Sequence, residues 1–238
     1  MNTINKDFSS ALWNQYHSGR IPVIPDIKSR SPREGDLLQG RHPAELAKKL
    51  ATAGARVISV VTEKEHFGGS REIIPRIVDS VSLPVLRKDF IISREQLMET
   101  AEMGASAVLL IAAILKKAQL YELIEYAHIL GLEPLVETHN KDEIMSVNGL
   151  KLTMLGINNR NITELETDDG SVKTTEELAG LAGPEALLIS ESAVSSPADA
   201  QRAAKAGAHA VLVGTAILQA RDPAQIYRNL NIMRGKGL

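Results

Sequence analysis

Residues 103–111 have the sequence Met-Gly-Ala-Ser-Ala-Val-Leu-Leu-Ile, in which a glycine comes just before an apolar run. The same arrangement recurs at residues 53–61 and 206–213, and looser copies surround Gly131 and Gly183. A glycine of this kind ends a helix, and a short, continuously apolar run is typical of a strand buried on both faces. The chain is therefore predicted to alternate helices with the strands of a parallel sheet.

Eight such strands can be counted along the chain. They are centred near Val23, Val57, Val85, Val108, Leu135, Leu155, Leu188 and Val211. The predicted helices include residues 43–53, 94–102, 117–130, 140–146, 174–181, 197–206 and 223–233. Eight strand–helix units in about 215 residues are the number that a (β/α)8 TIM barrel requires. A doubly wound open sheet is the alternative that the same pattern allows.

The 238 residues are 44% hydrophobic and 24% charged, which is typical of a globular protein. We predict a barrel domain over residues 21–238 and a short N-terminal helical extension over residues 1–20, where Phe8, Leu12 and Trp13 share one face. No shift in composition indicates a second domain.

The composition also argues against several classes of function. A net charge of −2 and an aromatic content of 3% do not favour nucleic-acid binding. The chain contains no cysteine, which excludes disulfides and thiol catalysis and fits a cytoplasmic location. We expect no signal peptide and no membrane span, because the N-terminus is polar and the longest apolar run, residues 107–115, is too short. The histidines lack ligand spacing, so we predict no metal, and we expect a monomer or a weak homodimer.

Polar side chains occur at the predicted ends of most strands. In Pro84-Val-Leu-Arg-Lys-Asp-Phe90, the alternation of a strand puts Lys88 and Arg87 on opposite faces. A lysine inside a barrel needs an anionic partner, and Glu137 at the end of the fifth strand is the simplest one. The other strand-end residues are Asp26, Lys28, Thr62, Glu63, Asn158, Arg160, Glu191, Ser192, Gly214 and Thr215.

In (β/α)8 barrels these strand ends meet at the rim that carries the active site. An ammonium beside a carboxylate in a partly dry pocket can divide into acid and base roles. The alternative is a layer of buried ion pairs that only fills the barrel. Residues 190–194 and Gly214, which opens the predicted last helix, lie where many barrels bind phosphate, and Arg160 could add a forked contact. The alternative there is a tight glycine turn.

Other residues near the rim receive less specific predictions. Phe67 and Phe90 could form an apolar wall for an aromatic ligand, although core packing explains Phe90 equally well. His66 and His139 are expected to have no role in binding. Residues 63–65, which are Glu-Lys-Glu, are predicted to face solvent.

Seven motifs in order resemble those of the indole-3-glycerol phosphate synthase family, whose members are (β/α)8 enzymes of tryptophan biosynthesis. They are Asp26-Ile-Lys-Ser-Arg-Ser-Pro32, Thr62-Glu-Lys-Glu-His-Phe-Gly-Gly-Ser70, Pro84-Val-Leu-Arg-Lys-Asp-Phe90, Leu132-Glu-Pro-Leu-Val-Glu137, Gly156-Ile-Asn-Asn-Arg-Asn161, Ser190-Glu-Ser192 and Leu212-Val-Gly214. The resemblance covers the chain from Phe8 onward. It implies a carboxy-lyase that closes the ring of 1-(2-carboxyphenylamino)-1-deoxyribulose 5-phosphate, with loss of carbon dioxide and water and without a cofactor.

The resemblance also implies a role for each site residue. Lys88 would be the general acid, Glu137 the base that takes a ring proton, and Lys28 the holder of the anthranilate carboxylate. The implied catalytic set is completed by Asp26, Asn158 and Glu191. Phosphate binding is implied for Ser31, Arg160, Ser192, Ala193, Gly214 and Thr215. An aromatic pocket is implied for Phe67, Phe90 and Leu109.

The chain departs from the family pattern at three of these places. Asp26 stands where the family usually has Glu, Arg33 where it has Ser and Ala193 where it has Gly, and the N-terminal extension is shorter. These departures predict reduced activity or a shifted substrate, because small displacements of catalytic groups matter.

Two alternative functions remain open at this point. One is a diverged paralogue that acts on another phosphorylated ribulose derivative, as a sugar-phosphate isomerase does. The other is a non-catalytic paralogue that binds the ligand for a partner protein. The presence of Lys28, Lys88 and Glu137 together counts against a mere binding protein.

Overall fold

A computed structural model describes residues 7–160 and 170–235. Within these ranges eight parallel strands, numbered β1 to β8, form a closed barrel in which β1 pairs with both β2 and β8. The strands are β1 (Val23–Ile27), β2 (Ile58–Val61), β3 (Val85–Lys88), β4 (Ala107–Ile111), β5 (Glu133–Thr138), β6 (Met154–Asn158), β7 (Leu187–Glu191) and β8 (Ala210–Val213). The predicted TIM barrel is confirmed and the open sheet is excluded. The first six residues of the predicted extension, and Asn161 of the quoted motifs, lie outside these ranges.

Helices cover the outside of the barrel and one of its ends. They are α1 (Phe8–His17), α2 (Pro43–Thr52), α3 (Ile73–Ser80), α4 (Arg94–Glu102), α5 (Lys117–Ile129), α6 (Lys141–Val147), α7 (Lys173–Leu178), α8 (Pro197–Ala206), α9 (Thr215–Gln219) and α10 (Pro223–Leu230), with short 3-10 turns at Ala112–Ile114 and Ala179–Leu181. Sequence patterns did not predict α3 as a helix. The glycines before four of the strands do end helices, since Gly54, Gly104, Gly131 and Gly207 have φ angles of 107°, 80°, 74° and 118°.

The prediction that Gly214 opens the last helix is wrong, because α9 and α10 are separate helices. Between them, the Asp222 side chain accepts hydrogen bonds from the N–H groups of Ala224 and Gln225, and Pro223 occupies the first helical turn. A cap of this kind starts a new helix at Pro223.

The apolar core has an inner part within the barrel and an outer part between the strands and the helices. Inside the barrel, Leu86, Leu135 and Ile189 pack with Phe8 and Leu12 of α1, and all of these side chains are fully buried. Helix α1 therefore closes the barrel at the amino ends of the strands. The shared face of Phe8 and Leu12 predicted the helix but not this position.

Glu133 fixes α1 at this closed end. Its carboxylate, at the start of β5, accepts hydrogen bonds from the backbone N–H groups of Phe8 and Ser9. These are N–H groups that the first turn of a helix cannot pair internally. Burial raises the pKa of Glu133 to about 7.

Arg87 faces away from the barrel interior, as the alternation of β3 predicted. Its guanidinium is buried, donating to Thr100 Oγ1 of α4 at 2.8 Å and to Asp89 Oδ2 at 2.9 Å. It also donates to Thr62 Oγ1, just after β2, at 3.1 Å. Arg87 thus ties β3 both to its neighbouring strand and to the helix that follows it.

Among residues 7–160 and 170–235, no helix combines the length and the apolar character needed to cross a membrane.

Candidate active site

A cavity of about 320 Å³ opens at the carboxyl ends of the strands. The predicted site residues that line it are Asp26, Lys28, Phe67, Lys88, Phe90, Leu109, Glu137, Asn158, Arg160, Ser192, Ala193, Gly214 and Thr215. Closure of the barrel brings these residues together although they come from all eight strands or the loops that follow them. Glu191 lies beneath Lys88 rather than on the cavity wall, and Ser31 lies in a neighbouring loop.

Lys88 forms the centre of the charged floor. Its Nζ atom is 2.6 Å from Glu191 Oε2 and 3.5 Å from Glu137 Oε2. Glu191 is therefore its closest carboxylate, and the predicted partner Glu137 is the second. Burial acts to lower the pKa of Lys88, but the two carboxylates outweigh it and raise this pKa well above the ordinary value. Lys88 is accordingly an ammonium at neutral pH.

The two glutamates beside Lys88 differ in their tendency to bind a proton. Burial raises the pKa of Glu191, and the nearby charge of Glu137 adds to this effect. Burial acts in the same direction on Glu137, but Lys88 and His139 outweigh it and lower the Glu137 pKa. Of the two, Glu137 therefore binds a proton less readily, and it faces the cavity.

The Glu191 side chain fits only because the neighbouring strand β6 has a glycine beside it. A Cβ atom added to Gly156 of β6 would lie 2.1 Å from Glu191 Oε1. This oxygen is buried and has no hydrogen-bond partner among the residues that the structure describes. Gly156 therefore leaves just enough room for the carboxylate beneath Lys88.

Asp26 of β1 and Lys28, which follows the end of β1 directly, point to the same side because they are two residues apart. Both are buried. Asp26 Oδ1 accepts a hydrogen bond from Ser59 Oγ of β2 at 2.6 Å. Lys28 Nζ lies 5.7 Å from the ring centre of Phe67, a distance at which a cation and an aromatic face attract each other. The cavity thus has two lysines, Lys28 and Lys88, next to its aromatic wall.

The loop after β2 holds Phe67 in that wall by means of Glu63. The Glu63 carboxylate accepts the N–H groups of Glu65, His66 and Phe67 at 2.8–2.9 Å, and only 8% of the residue is exposed. The prediction that Glu63 faces solvent is therefore wrong, whereas Lys64 and Glu65 are exposed. Glu63, Glu65 and His66 are close enough to surround a cation, but Glu63 already serves the backbone of this loop.

Polar groups suited to phosphate lie across the cavity from the aromatic wall. They come from the loops after β6, β7 and β8 and include Arg160, Ser192 and Thr215. Thr215 Oγ1 is buried without a hydrogen-bond partner in the described part of the chain. Ser192 and Ala193 both have left-handed backbone angles, with φ of 66° and 57°. An alanine in this conformation is strained, which a glycine would not be.

Ser31 lies in the loop after β1 and does not line the cavity. It lies in a short hairpin formed by Arg30–Ser31 and Gly35–Asp36, and its Oγ accepts the N–H groups of Arg33 and Glu34 at 3.3 and 3.4 Å. The hairpin places Arg33 and Glu34 at the cavity. A contact between Ser31 and a phosphate would require this loop to rearrange.

His139 was not predicted to take part, yet it contacts a central site residue. Its Nε2 atom lies 3.2 Å from Glu137 Oε1, and its Nδ1 atom lies 3.0 Å from Glu143 Oε2. Two signals in the sequence could have indicated this arrangement. His139 follows Glu137 by two residues, and Glu143 follows His139 by the four residues of one helical turn.

Comparison with known proteins shows the family to which the chain belongs. The profile of the family described as indole-3-glycerol phosphate synthase matches residues 2–230. Proteins named indole-3-glycerol phosphate synthase from Pyrococcus furiosus and Thermococcus kodakarensis are each 44% identical to this chain, over 87% of its length and over 90% and 91% of theirs. One from Burkholderia ambifaria is 39% identical over 92% of this chain and 83% of that protein. The chain belongs to the indole-3-glycerol phosphate synthase family.

Proposed function

We propose that this chain is an indole-3-glycerol phosphate synthase. It converts 1-(2-carboxyphenylamino)-1-deoxyribulose 5-phosphate into the indole product, carbon dioxide and water, and is thus a carboxy-lyase. The observation that carries the proposal is the ammonium of Lys88, set within 3.5 Å of the Glu137 carboxylate on the floor of a cavity. An apolar wall lies on one side of this pair and phosphate-type loops lie on the other.

The charges of the cavity match those of the substrate. The aminobenzoate ring fits against Phe67, Phe90 and Leu109, and its carboxylate would be held by Lys28 beside that wall. The phosphate would lie at the loops after β6, β7 and β8, where Arg160 offers a cation and Thr215 offers a hydroxyl. Binding at both ends would hold the reacting carbons over Lys88 and Glu137.

Lys88 would supply the acid for ring closure. The ring carbon that bears the carboxylate attacks the ketone carbon, and the ketone oxygen becomes an alkoxide. An alkoxide is basic enough to take a proton from a lysine whose pKa is raised, and a fixed ammonium stabilises the developing charge. Loss of carbon dioxide then restores the aromatic ring and leaves a hydroxyl on the new five-membered ring.

Glu137 would complete the reaction as the base. Lys88, protonated again from solvent, gives the hydroxyl a proton and it leaves as water. Glu137 takes a proton from the carbon beside nitrogen, which forms the double bond of the new five-membered ring. In the resting site the ammonium of Lys88 lowers the Glu137 pKa. Once Lys88 has given up its proton, this attraction is lost and Glu137 becomes a stronger base. The acid step therefore prepares the base step.

The three departures from the family pattern bear on rate rather than on the type of reaction. Asp26 is held by Ser59, Arg33 lies at the mouth, and Ala193 takes the strained conformation described above. We expect a lower turnover than in family members with Glu, Ser and Gly at these positions. An Asp26→Glu variant with unchanged turnover would show that Asp26 is not the cause.

The appearance of indole fluorescence tests the proposal directly. We expect fluorescence to rise when the purified protein is mixed with the aminodeoxyribulose phosphate, and to stay flat with the Glu137→Gln variant. A wild-type protein that binds the substrate without producing fluorescence would contradict the proposed function. The cytoplasmic location and the monomeric or weakly dimeric state stay predictions, and fractionation and size-exclusion chromatography would check them.

A further inference from the structure

Among the residues that the structure describes, the Glu137 carboxylate has two cationic neighbours, and the lysine is not the closer one. Glu137 Oε2 lies 3.5 Å from Lys88 Nζ, whereas Glu137 Oε1 lies 3.2 Å from His139 Nε2. The Nε2 atom makes no hydrogen bond within the described residues, so its interaction with Glu137 is one of charge. Lys88 itself makes its shorter contact, 2.6 Å, with Glu191. The side chains of Glu137 and His139 are only 2% and 7% exposed. Solvent therefore screens their interaction little.

Helix α6 holds the imidazole of His139 in place. Glu143, in the first turn of α6, accepts the backbone N–H of His139 at 2.9 Å and lies 3.0 Å from the ring Nδ1. Its other oxygen accepts from Asn140 Nδ2 at 2.6 Å, and Asn140 caps the helix in return. A carboxylate at this place is also stabilised by the helix dipole. Rotation of the imidazole would break its contacts with Glu137 and Glu143 together.

The two ring nitrogens of His139 thus face one carboxylate each, which favours a proton on both. Burial acts to lower the pKa of His139, but Glu137 and Glu143 outweigh it and raise this pKa to about 9. Within residues 7–160 and 170–235, the charged groups that act on Glu137 are then Lys88 of β3, Glu191 of β7 and the His139 imidazolium. Without the imidazolium, Glu137 and Glu191 would share the ammonium of Lys88, on which Asp26 also acts.

We propose that His139 is a positioning residue for the base of the reaction. Held by Glu143, it keeps its charged ring beside one oxygen of Glu137, and the other oxygen faces Lys88. It also supplies the cation that lets Glu137 stay ionised while Lys88 pairs with Glu191 and gives up its proton to substrate. This inference rests on the proposed function, because it assigns His139 to the step in which Glu137 accepts a proton.

The pH profile of the His139→Gln variant tests the inference by activity. Loss of the closest cation raises the Glu137 pKa, so the acid limb of kcat against pH moves up by about one unit. Because a loosened base is also misplaced, kcat falls about tenfold at neutral pH while KM stays within about twofold. Glu143→Gln shifts the limb in the same direction by a smaller amount. His128→Gln, at an exposed histidine of α5, leaves the profile unchanged.

Two outcomes would overturn the inference. One is a folded His139→Gln protein whose acid limb coincides with that of the wild type, even if its melting temperature is lower, because a merely structural role predicts that pattern. The other applies if His139→Gln fails to fold. It is a Glu143→Gln protein whose acid limb of kcat against pH coincides with that of the wild type.

A titration followed by NMR tests the same contact without substrate. In the wild type, the ring nitrogens of His139 titrate well above the ordinary histidine pKa of about 6.5. In Glu137→Gln, the His139 pKa falls by at least about one unit, because one of its two anionic neighbours is gone. An ordinary and equal pKa in both proteins overturns the inference whatever the activity. Absence of indole formation by the wild type would instead overturn the proposed function, so the two failures are distinguishable.

Discussion

Strand β5 carries a glutamate at each end, and the two ends of the barrel use them differently. At its start, Glu133 accepts backbone N–H groups from α1. At its end, Glu137 lies between Lys88 and His139 on the floor of the cavity. Burial raises the pKa of Glu133 to about 7, whereas nearby cations outweigh burial and lower that of Glu137.

The difference between Glu133 and Glu137 indicates which features of a buried carboxylate mark a catalytic group. Glu133 has the shifted pKa that is often taken as a functional sign. Its partners, however, are N–H groups of a helix that closes the barrel, so it stabilises structure. Glu137 lies beside the Lys88 ammonium, which can exchange a proton, and it lines a cavity that can admit substrate. Access and a proton-transferring neighbour, rather than the shift alone, distinguish the two ends.

The largest expected effect comes from removing the ammonium at the open end. Lys88→Met should lower kcat by about a thousandfold, which is within the usual range for the loss of an acid–base group. The rate of indole formation measures it, with the exposed Lys64→Met as the control. At the closed end, Glu133→Gln should keep kcat within about twofold of the wild type. If Lys88→Met kept more than a tenth of the activity, the proposed acid would be wrong.

The closed end should instead be visible in the pH dependence of stability. The folded pKa of Glu133, about 7, lies above its ordinary value of 4.5. The folded protein thus holds a proton that the unfolded chain has lost, so stability is highest below pH 4.5 and falls as the pH rises through 7. Allowing for the partial exposure of Glu133, we expect a loss of about 1–2 kcal/mol in the free energy of unfolding across this window.

Urea unfolding at pH 5 and pH 8 measures this loss. Glu133→Gln carries no titrating group, so its unfolding free energy should change less between the two pH values. A wild type and a variant with the same pH dependence would show that Glu133 does not determine it.

The smallest expected effect concerns strain at the open end. Ala193 has a φ of 57°, so Ala193→Gly should relieve a cost of about 1 kcal/mol, partly offset by the greater freedom of glycine in the unfolded chain. We expect a net gain of about 0.5 kcal/mol in urea unfolding. Ala182→Gly is the control, since Ala182 has a φ of −68° and should lose stability on the same change. Equal losses in both variants would mean that Ala193 is unstrained.

The barrel and the convergence of its site residues could be predicted because both depend on periodic features. Apolar runs after Gly104 and Gly207 mark strands, and the alternation of β3 places Lys88 inside and Arg87 outside. The pairing within the floor is less predictable. Glu191, not Glu137, is closest to Lys88, because depth in the barrel depends on how neighbouring strands are staggered, and the sequence pattern does not contain that stagger.

Loop residues were the least predictable part of the site. Glu63 bends back to the N–H groups of its own loop, and Ser31 accepts N–H groups within a hairpin. Such directions follow from local backbone conformation rather than from a repeat of two or of 3.6 residues. His139 is intermediate, since its spacing from Glu137 and Glu143 was present in the sequence but has no meaning until α6 is known to begin at Lys141.

The placement of Arg87 has a consequence for how β3 finds its alignment. A slip of one residue along the neighbouring strands would exchange the two faces of β3. It would bring the Arg87 guanidinium into the barrel, away from Thr100 and Asp89, and carry the Lys88 ammonium out among the helices, away from Glu191. Two adjacent cations with different partners thus make the wrong alignment costly twice over. Arg87, on the outer face of β3, therefore disfavours any alignment that would turn Lys88 away from the barrel interior.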